Sequence, residues 1–504
     1  MGANSSKAIS NEKLIIERLR SLEMRDEEYF NVNEKSVPGI SNMTFQTPWK
    51  PLSVSEIQFW EHQLLQDPKN RQNRLALSAL SKADPKSVLS SRSAEINDQH
   101  IFNTVIPLEG APITDQKSSG RCWLFASTNV FRVALMKRHN LDKFELSQAY
   151  LFFYDKLEKS NYFLNQVLDT VHEPLDQRLM QTLLSQPVSD GGQWDMVVNL
   201  VEKYGLVPHT LYPDSFNATA SSSIDALITT KLRENALQLR SLASSGIKSI
   251  EEISALKDRM VREIHLILTL TLGPPPAPSN EFVWTYLDKN GVAHELRTTP
   301  IAFAKELESP KSIRITNSAV KSMISLVNDP RNEYNTLLTV DRLGNIVGGR
   351  SVTYVNVSIS TIKEACIKML QAGLPIFFGS DVGKYSNSRT GIMDDSLIDY
   401  ELGFNIKLGM TKAERLMTGE SAMTHAMVLT AVHIEDGKSV RWRVQNSWGP
   451  NAGVDGWFVM SDKWMDEFVY QAVVEPRFVS QEVKDVLKTK PKLLPVWDPM
   501  GSLA

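Results

Sequence analysis

Apolar and polar positions divide this chain into stretches of helical period, stretches of strand-like pattern and polar breaks. Residues 1–50 read as a polar lead-in with an amphipathic helix within 11–28, ending in the loop Pro48-Trp49-Lys50-Pro51. A helical pattern over 53–82 has Ser53 or Ser55 as its N-cap. Residues 101–117 are extended and loop-like, punctuated by Pro107, Gly110 and Pro112. A helix is predicted from Cys122 to His139, with Ala126, Val130, Val133 and Met136 recurring at three- and four-residue steps. Others follow over Ser147–Leu157 and Trp194–Tyr204, the latter stopped by Gly205 and Pro208. Residues 222–270 carry two long helical patterns parted by Ser244-Ser245-Gly246, and Gly-Pro-Pro-Pro at 273–276 stops the second. Strand-like patterns lie at 282–286, 352–357, 426–434, 440–445 and 456–460. A helix over 361–372 precedes the apolar run Leu374–Phe378, a buried strand by length and composition. There is no internal repeat.

Composition narrows the class. The 504 residues are 42% hydrophobic and 22% charged, as in a soluble globular chain of roughly three domains. The net charge of −3 gives no electrostatic reason for nucleic acid or an anionic membrane as main partner. Two cysteines, Cys122 and Cys366, argue against a disulfide-stabilised secreted protein. No apolar run reaches signal-peptide length near the start or transmembrane length anywhere, so a cytoplasmic location is expected. Met1-Gly2-Ala3-Asn4-Ser5-Ser6 fits the acylation pattern at Gly2, and membrane contact is expected only if Gly2 is myristoylated.

Candidate chemistry concentrates around Gln116-Lys117-Ser118-Ser119-Gly120-Arg121-Cys122-Trp123-Leu124-Phe125. A cysteine in the first turn of a helix meets free backbone N–H groups and the positive end of the helix dipole, which favour the reactive thiolate. The Gly120 loop lets the backbone bend and a substrate approach. The Gln116 amide, with the Cys122 N–H, can form an oxyanion hole. A buried structural cysteine is the plain alternative for this segment alone. Downstream, His425 opens an apolar strand and can take the Cys122 proton. Asn446 ends the next strand, where its side-chain oxygen can accept the other imidazole N–H and fix the tautomer. Trp448 can shield that bond from water.

In this order and with these neighbours, the sequence resembles the papain family of cysteine peptidases. The likeness lies in Gln116, Gly120, Cys122, Trp123 and Phe125, in His425, and in Asn446-Ser447-Trp448-Gly449. Asp190-Gly191-Gly192 resembles the family's glycine pair, whose backbone pairs with the substrate's. Arg121 and Leu124 depart from that pattern. So does the separation of Cys122 from His425 by about three hundred positions, against ~130–150 in papain-like chains.

A narrower resemblance, to the bleomycin hydrolase family, absorbs Arg121 and the spacing. It rests on Ser118–Trp123, Asp190-Gly191-Gly192-Gln193-Trp194-Asp195, Leu326-Val327-Asn328-Asp329-Pro330-Arg331, Gly379-Ser380-Asp381-Val382-Gly383-Lys384 and Trp497-Asp498-Pro499-Met500-Gly501, about four fifths of the chain. It implies an α+β, papain-like two-lobed fold, a helical lobe against a β-barrel-like lobe, with a large helical insertion and a C-terminal arm. The expected divisions are an N-terminal extension (1–95), a helical lobe (96–221), an inserted helical region (222–345), a β lobe (346–480) and the arm (481–504).

The resemblance also implies a thiol aminopeptidase, a homohexamer with active sites facing an inner chamber. Its arm, here about Lys490–Ala504, enters the cleft so that the Ala504 carboxylate meets the substrate's free amine. It extends to homocysteine thiolactone as a substrate and to removal of Ala504 in the mature chain. Asp190, Gly191 and Gly192 are expected to bind substrate. Two alternatives stay open: a nucleic-acid-binding or scaffolding hexamer with peptidase activity secondary, and an endopeptidase. Cys366 falls in an amphipathic helix and reads as core. The remaining histidines make no metal-ligand pair at useful spacing and no phosphate-binding loop is present, so no cofactor is expected.

Overall fold

The computed structural model describes residues 51–308 and 322–503. Gly2, the helix expected within 11–28 and the terminal Ala504 lie outside them. Of the described residues, those up to Arg74 form a small unit and those from Leu75 onward a second, far larger one. In the first, Ser53 and Glu56 cap the helix Val54–Gln66 reciprocally: Ser53 Oγ accepts from the Glu56 N–H (3.1 Å) and Glu56 Oε2 from the Ser53 N–H (3.0 Å). The pattern over 53–82 is two helices rather than one, because Pro68 has no N–H to continue the first; the second is Arg71–Leu80.

The larger unit sets helices against a sheet. Helix α1 (Cys122–Arg138) is buried all round from Cys122 to Met136, with Ser127, Thr128, Asn129 and Arg132 among its buried residues, and runs through the core. Helix α2 (Gln148–Asp169) runs about three turns beyond its expected end and starts where Ser147 Oγ accepts from the Tyr150 N–H (3.1 Å). Helix α3 is Trp194–Tyr204, as expected. The long pair α4 (Ser222–Ser245) and α5 (Ile250–Leu272) turns at Gly246, whose φ of +64° is the left-handed conformation that suits glycine. Ile224, Ile228 and Leu232 of α4 and Met260, Ile264 and Leu268 of α5 bury one stripe each, at four-residue steps, and both helices pack on α2.

The hairpin β1 (Phe282–Leu287) and β2 (Ala293–Thr298) stands apart. The main sheet contains β3 (Ile324–Val327), β4 (Thr336–Val340), β5 (Tyr354–Asn356), β6 (Ile376–Ser380), β7 (His425–Glu435), β8 (Lys438–Gln445), β9 (Trp457–Ser461), β10 (Val469–Val474) and β11 (Lys492–Leu494). Their order is β11-β4-β5-β3-β10-β6-β7-β8-β9; short pieces at Ile392–Met393, Ser386–Asn387 and Thr104–Val105 make twelve strands among the described residues. Helix α6 (Ile359–Gln371) packs on this sheet and buries Cys366.

The sheet corrects one expected division. Strands β3 and β4, assigned by sequence to the inserted region, are hydrogen-bonded into the same sheet as β7: β3 pairs with β10 and β5, and β4 with β5 and β11. They are four and five residues long, and β3 is buried throughout, so neither shows the alternation that marks a strand in sequence. Among the described residues, no helix is long and apolar enough to cross a membrane.

Candidate active site

Helix α1 begins at Cys122 with no side chain capping it. Its first N–H groups are therefore left free, and those of Cys122 and Trp123 point at the Cys122 sulfur. A third N–H comes from Ala426, across the gap to β7, so the sulfur lies beside the strand that opens with His425. Strand β7 fixes His425 by register, pairing it with Ser380, while Ala426 pairs with Gly379. Gly379 must be glycine: a Cβ there would lie 2.1 Å from Met423 Sδ. His425 Nε2 meets Asn446 Oδ1 at 2.8 Å, which leaves Nδ1 for proton exchange. Asn446 Oδ1 also accepts from the Ser447 N–H at 2.8 Å, and the Trp448 ring lies over the imidazole, 4.8 Å between centroids. The bond between His425 and Asn446 is buried.

Gln116 is tied into the same assembly. Its Oε1 accepts from Ser447 Oγ (2.7 Å), its backbone N–H donates to the Ser447 carbonyl (2.8 Å), and its Nε2 donates to the Ser119 carbonyl (2.7 Å). A side-chain amide has two N–H donors, so one remains for an oxyanion. Cys122 and Gln116, His425, and Asn446 thus come together from three separate stretches of chain.

The electrostatics differ from the sequence expectation. Burial pushes the Cys122 thiol up to about 11, outweighing the three N–H groups that favour the thiolate. Burial likewise lowers His425 to about 4, against the opposing pull of its bond to Asn446. The helix terminus does favour ionised sulfur, but desolvation is the larger effect. Moving the proton from Sγ to Nδ1 creates both charges at once, and their mutual attraction, about 4 kcal/mol at 4 Å in an effective dielectric near 20, offsets part of the cost.

Asp190, expected with Gly191 and Gly192 to bind substrate, has a further set of contacts within the fold. Its Oδ2 accepts from the Gly120 N–H (2.8 Å) and Ser221 Oγ (2.5 Å), its Oδ1 meets Lys156 Nζ (2.6 Å), and its carbonyl accepts from Trp123 Nε1 (2.6 Å). These contacts tie the Gly120 N–H in the loop before Cys122 and the Trp123 indole just after it to Ser221 and Lys156 through one residue. Burial would raise the Asp190 carboxyl, yet the Lys156 ammonium and the hydrogen bonds hold it below the usual range. Gly191 gives its carbonyl to Lys159 Nζ (2.6 Å). Gly192 lets Trp123 approach so closely that a Cβ would lie 2.6 Å from the indole. Arg121 is explained as well: fully buried, it forks onto Asp214 at 2.8 and 2.9 Å and reaches Ser119 Oγ at 2.9 Å.

Sequence reasoning missed several groups. Gln193 Nε2 donates to the Ser502 carbonyl (2.7 Å), and Ser502 Oγ donates to the Met423 carbonyl (2.9 Å). The arm therefore touches both the segment after Gly192 and the segment before His425. Asp381 accepts from Ser421 Oγ (2.8 Å), whose oxygen in turn accepts from Tyr470 (2.6 Å), and this steadies the approach to Met423. Asp381 belongs to the noted stretch Gly379–Lys384, but nothing in its spacing reveals a partner at position 421.

The chain matches the Peptidase C1-like family over residues 51–501. It is 43% identical over 458 residues to the bleomycin hydrolase of Rattus norvegicus, covering 86% of this chain and 99% of that protein. The Homo sapiens bleomycin hydrolase is 43% identical over 458 residues, 86% of this chain and 98% of that one. Cysteine proteinase 1, mitochondrial, of Saccharomyces cerevisiae is 41% identical over 461 residues, 90% and 93% of the two chains. Among solved structures, PepW from Lactobacillus rhamnosis HN001 matches with a TM-score of 0.84 at 39% identity, over 90% of this chain and 99% of that one.

Proposed function

Because the chain belongs to the Peptidase C1-like family and is a papain-like cysteine peptidase, we propose that it is an aminopeptidase acting on peptides and peptide-like amides. In this reading Cys122 is the nucleophile, His425 the base and Asn446 the residue that orients it. His425 Nδ1 takes the thiol proton as Sγ attacks the amide carbonyl carbon. The resulting oxyanion is held by the Cys122 N–H and the second amide N–H of Gln116. Collapse breaks the C–N bond as His425 returns the proton to the leaving amine, and a thioester remains on Cys122. Water then attacks the thioester, giving its proton to His425; the C–S bond breaks, the acid leaves and the thiol is restored. As the imidazole becomes charged, the oxygen of Asn446 stabilises it.

One observation carries the choice of aminopeptidase: Ser502 is hydrogen-bonded to Gln193 on one side of the site and to the Met423 carbonyl on the other. A cleft crossed by its own chain end has room for substrate on one side only. The terminal carboxylate, two residues further on, is the natural counter-charge for a substrate's amino group. The names of the rat and human relatives add bleomycin, a peptide-like amide, to the candidate substrates. Homohexameric assembly, action on homocysteine thiolactone and a cytoplasmic location for two free thiols complete the reading.

The test compares a fluorogenic amide bearing a free amine with its N-acetylated counterpart. The free amine should be preferred about tenfold or more, the worth of one charge-assisted contact. Cys122→Ala should abolish turnover of both. Equal turnover of the two substrates by the wild-type enzyme would sink the aminopeptidase assignment.

A further inference from the structure

Two stretches noted in the sequence and given no role in the chemistry, Leu326–Arg331 and Trp497–Gly501, meet in the structure. Asp329 is fully buried and takes both edges of the Arg331 guanidinium, Nε at 2.9 Å and Nη2 at 2.8 Å. It also accepts from the Arg331 N–H and from Asn332 Nδ2, so it stays satisfied without help from the arm. Arg331 Nη2 then reaches out to Asp498 Oδ1 at 2.8 Å. The same Asp498 oxygen caps the tight turn Pro499–Gly501 by accepting from the Met500 N–H at 2.9 Å. That turn delivers Ser502 to its two partners in the site.

The remaining anchors are weaker or farther back. Strand β11 joins the sheet edge upstream, the Arg178 guanidinium lies 4.3 Å from the Trp497 ring centroid, and Tyr354 donates to the Met500 carbonyl at 3.2 Å. Among the described residues, Arg331–Asp498 is the ion pair nearest the arm's working end, and both side chains are mostly buried, at 14% and 11% exposed. A pair so shielded is little screened by salt, and the fork that Arg331 makes with Asp329 fixes the direction in which its Nη2 reaches Asp498.

We infer that Arg331 is a specificity-determining positioning residue: through Asp498 it sets where the arm ends in the cleft, and so selects substrates with a free amino end. This rests on the aminopeptidase reading given above. A chain end displaced by an ångström or two no longer meets the amine squarely, and leaves room for a longer substrate to lie across the cleft.

The test uses the full-length enzyme with Asp498→Asn, which keeps an oxygen for the Met500 N–H, leaves Asp329–Arg331 intact and removes only the charge. The expected result is a fall of about tenfold in the preference for the free-amine substrate over its N-acetylated counterpart, from one lost charge-assisted contact. It should come from a raised KM for the free amine and a gain on the blocked substrate, while the number of sites titrated by an active-site alkylating reagent is unchanged. Arg331→Lys, which keeps the charge but not the fork, should fall between the two. If Asp498→Asn keeps the wild-type preference, or if only Asp498→Ala loses it, the turn and not the ion pair positions the arm and the inference is overturned, with the aminopeptidase reading intact. If the wild-type enzyme shows no preference, that reading fails and the inference with it.

Discussion

The loop that carries Cys122 is fastened by buried charges, whereas the strand that carries His425 is fastened by backbone pairing and neutral hydrogen bonds. On the first side, Lys156 lies fully buried between Asp190 (2.6 Å) and Asp225 (2.5 Å), Asp190 holds the Gly120 N–H, and Arg121 forks onto Asp214. On the second, the registers of β7 with β6 and β8 place the imidazole, and one amide oxygen orients it. The difference follows from what each must do. A loop has no ladder to fix it, so long-range charge pairs replace the ladder. A residue at a strand end already has its backbone placed, so its strand needs no such charge pairs.

The largest break in this contrast should come from Lys156→Met. Two carboxylates, Asp190 and Asp225, would then face each other with no cation between them, at a cost of about 3–5 kcal/mol in stability by urea denaturation. Adding Asp225→Asn should recover part of it, because one of the two uncompensated charges is removed. A loss of under about 1 kcal/mol for Lys156→Met would mean that the charges do not hold the loop.

A second measurement uses pH. His425 sits at about 4 in the fold against its usual 6.5, so between those values the unfolded chain binds a proton that the folded chain does not. Its contribution is full above 6.5 and fades by about 3 kcal/mol as the pH falls toward 4. The Cys122 thiol, at about 11 against 9.0, contributes in the opposite sense: fully below 9.0, fading as the pH rises toward 11. Denaturation midpoints taken from pH 7 to 4 should fall, and His425→Gln should flatten that limb. An unchanged slope in the variant would place the acid sensitivity elsewhere.

The smallest expected effect sharpens the neutral side. Asn446→Ala removes the oxygen that stabilises the imidazolium, and kcat should drop about tenfold to a hundredfold, the worth of one hydrogen bond to a charged group. KM should move far less, because the bond strengthens only as the imidazole charges. An equal loss in kcat and 1/KM would point to a collapsed cleft instead.

Legibility in the sequence followed the range of the interactions. Helix α3 matched its expected bounds, as a uniform period stopped by Gly205 allows. The pair α4 and α5 matched closely too, parted by Gly246 and with a capping box at Ser249 and Glu252 opening the second helix. Strands β3 and β10 left no trace, since both are buried throughout and show no alternation. At the site, Cys122, His425 and Asn446 could be singled out because their order and flanking residues resemble those of papain-like peptidases, although each is weak when read singly. The bracing contacts of Asp190 were not legible for the converse reason: they run to Lys156, Ser221 and Gly120, none of them adjacent to it in the chain.

The sequence alone determined which chemical groups are present and which backbone each occupies: a thiol opening an uncapped helix, an imidazole opening a strand, an amide closing the next. Those depend on local φ/ψ preference and hydrophobic period, which a few consecutive residues specify. Only the tertiary structure shows that burial works against charge on the thiol and on the imidazole, that Asp190 holds the Gly120 N–H, and that Ser502 of the arm meets Gln193 and the Met423 carbonyl. Desolvation and charge pairing depend on what surrounds a group in space, and here the surroundings come from segments tens to hundreds of residues away.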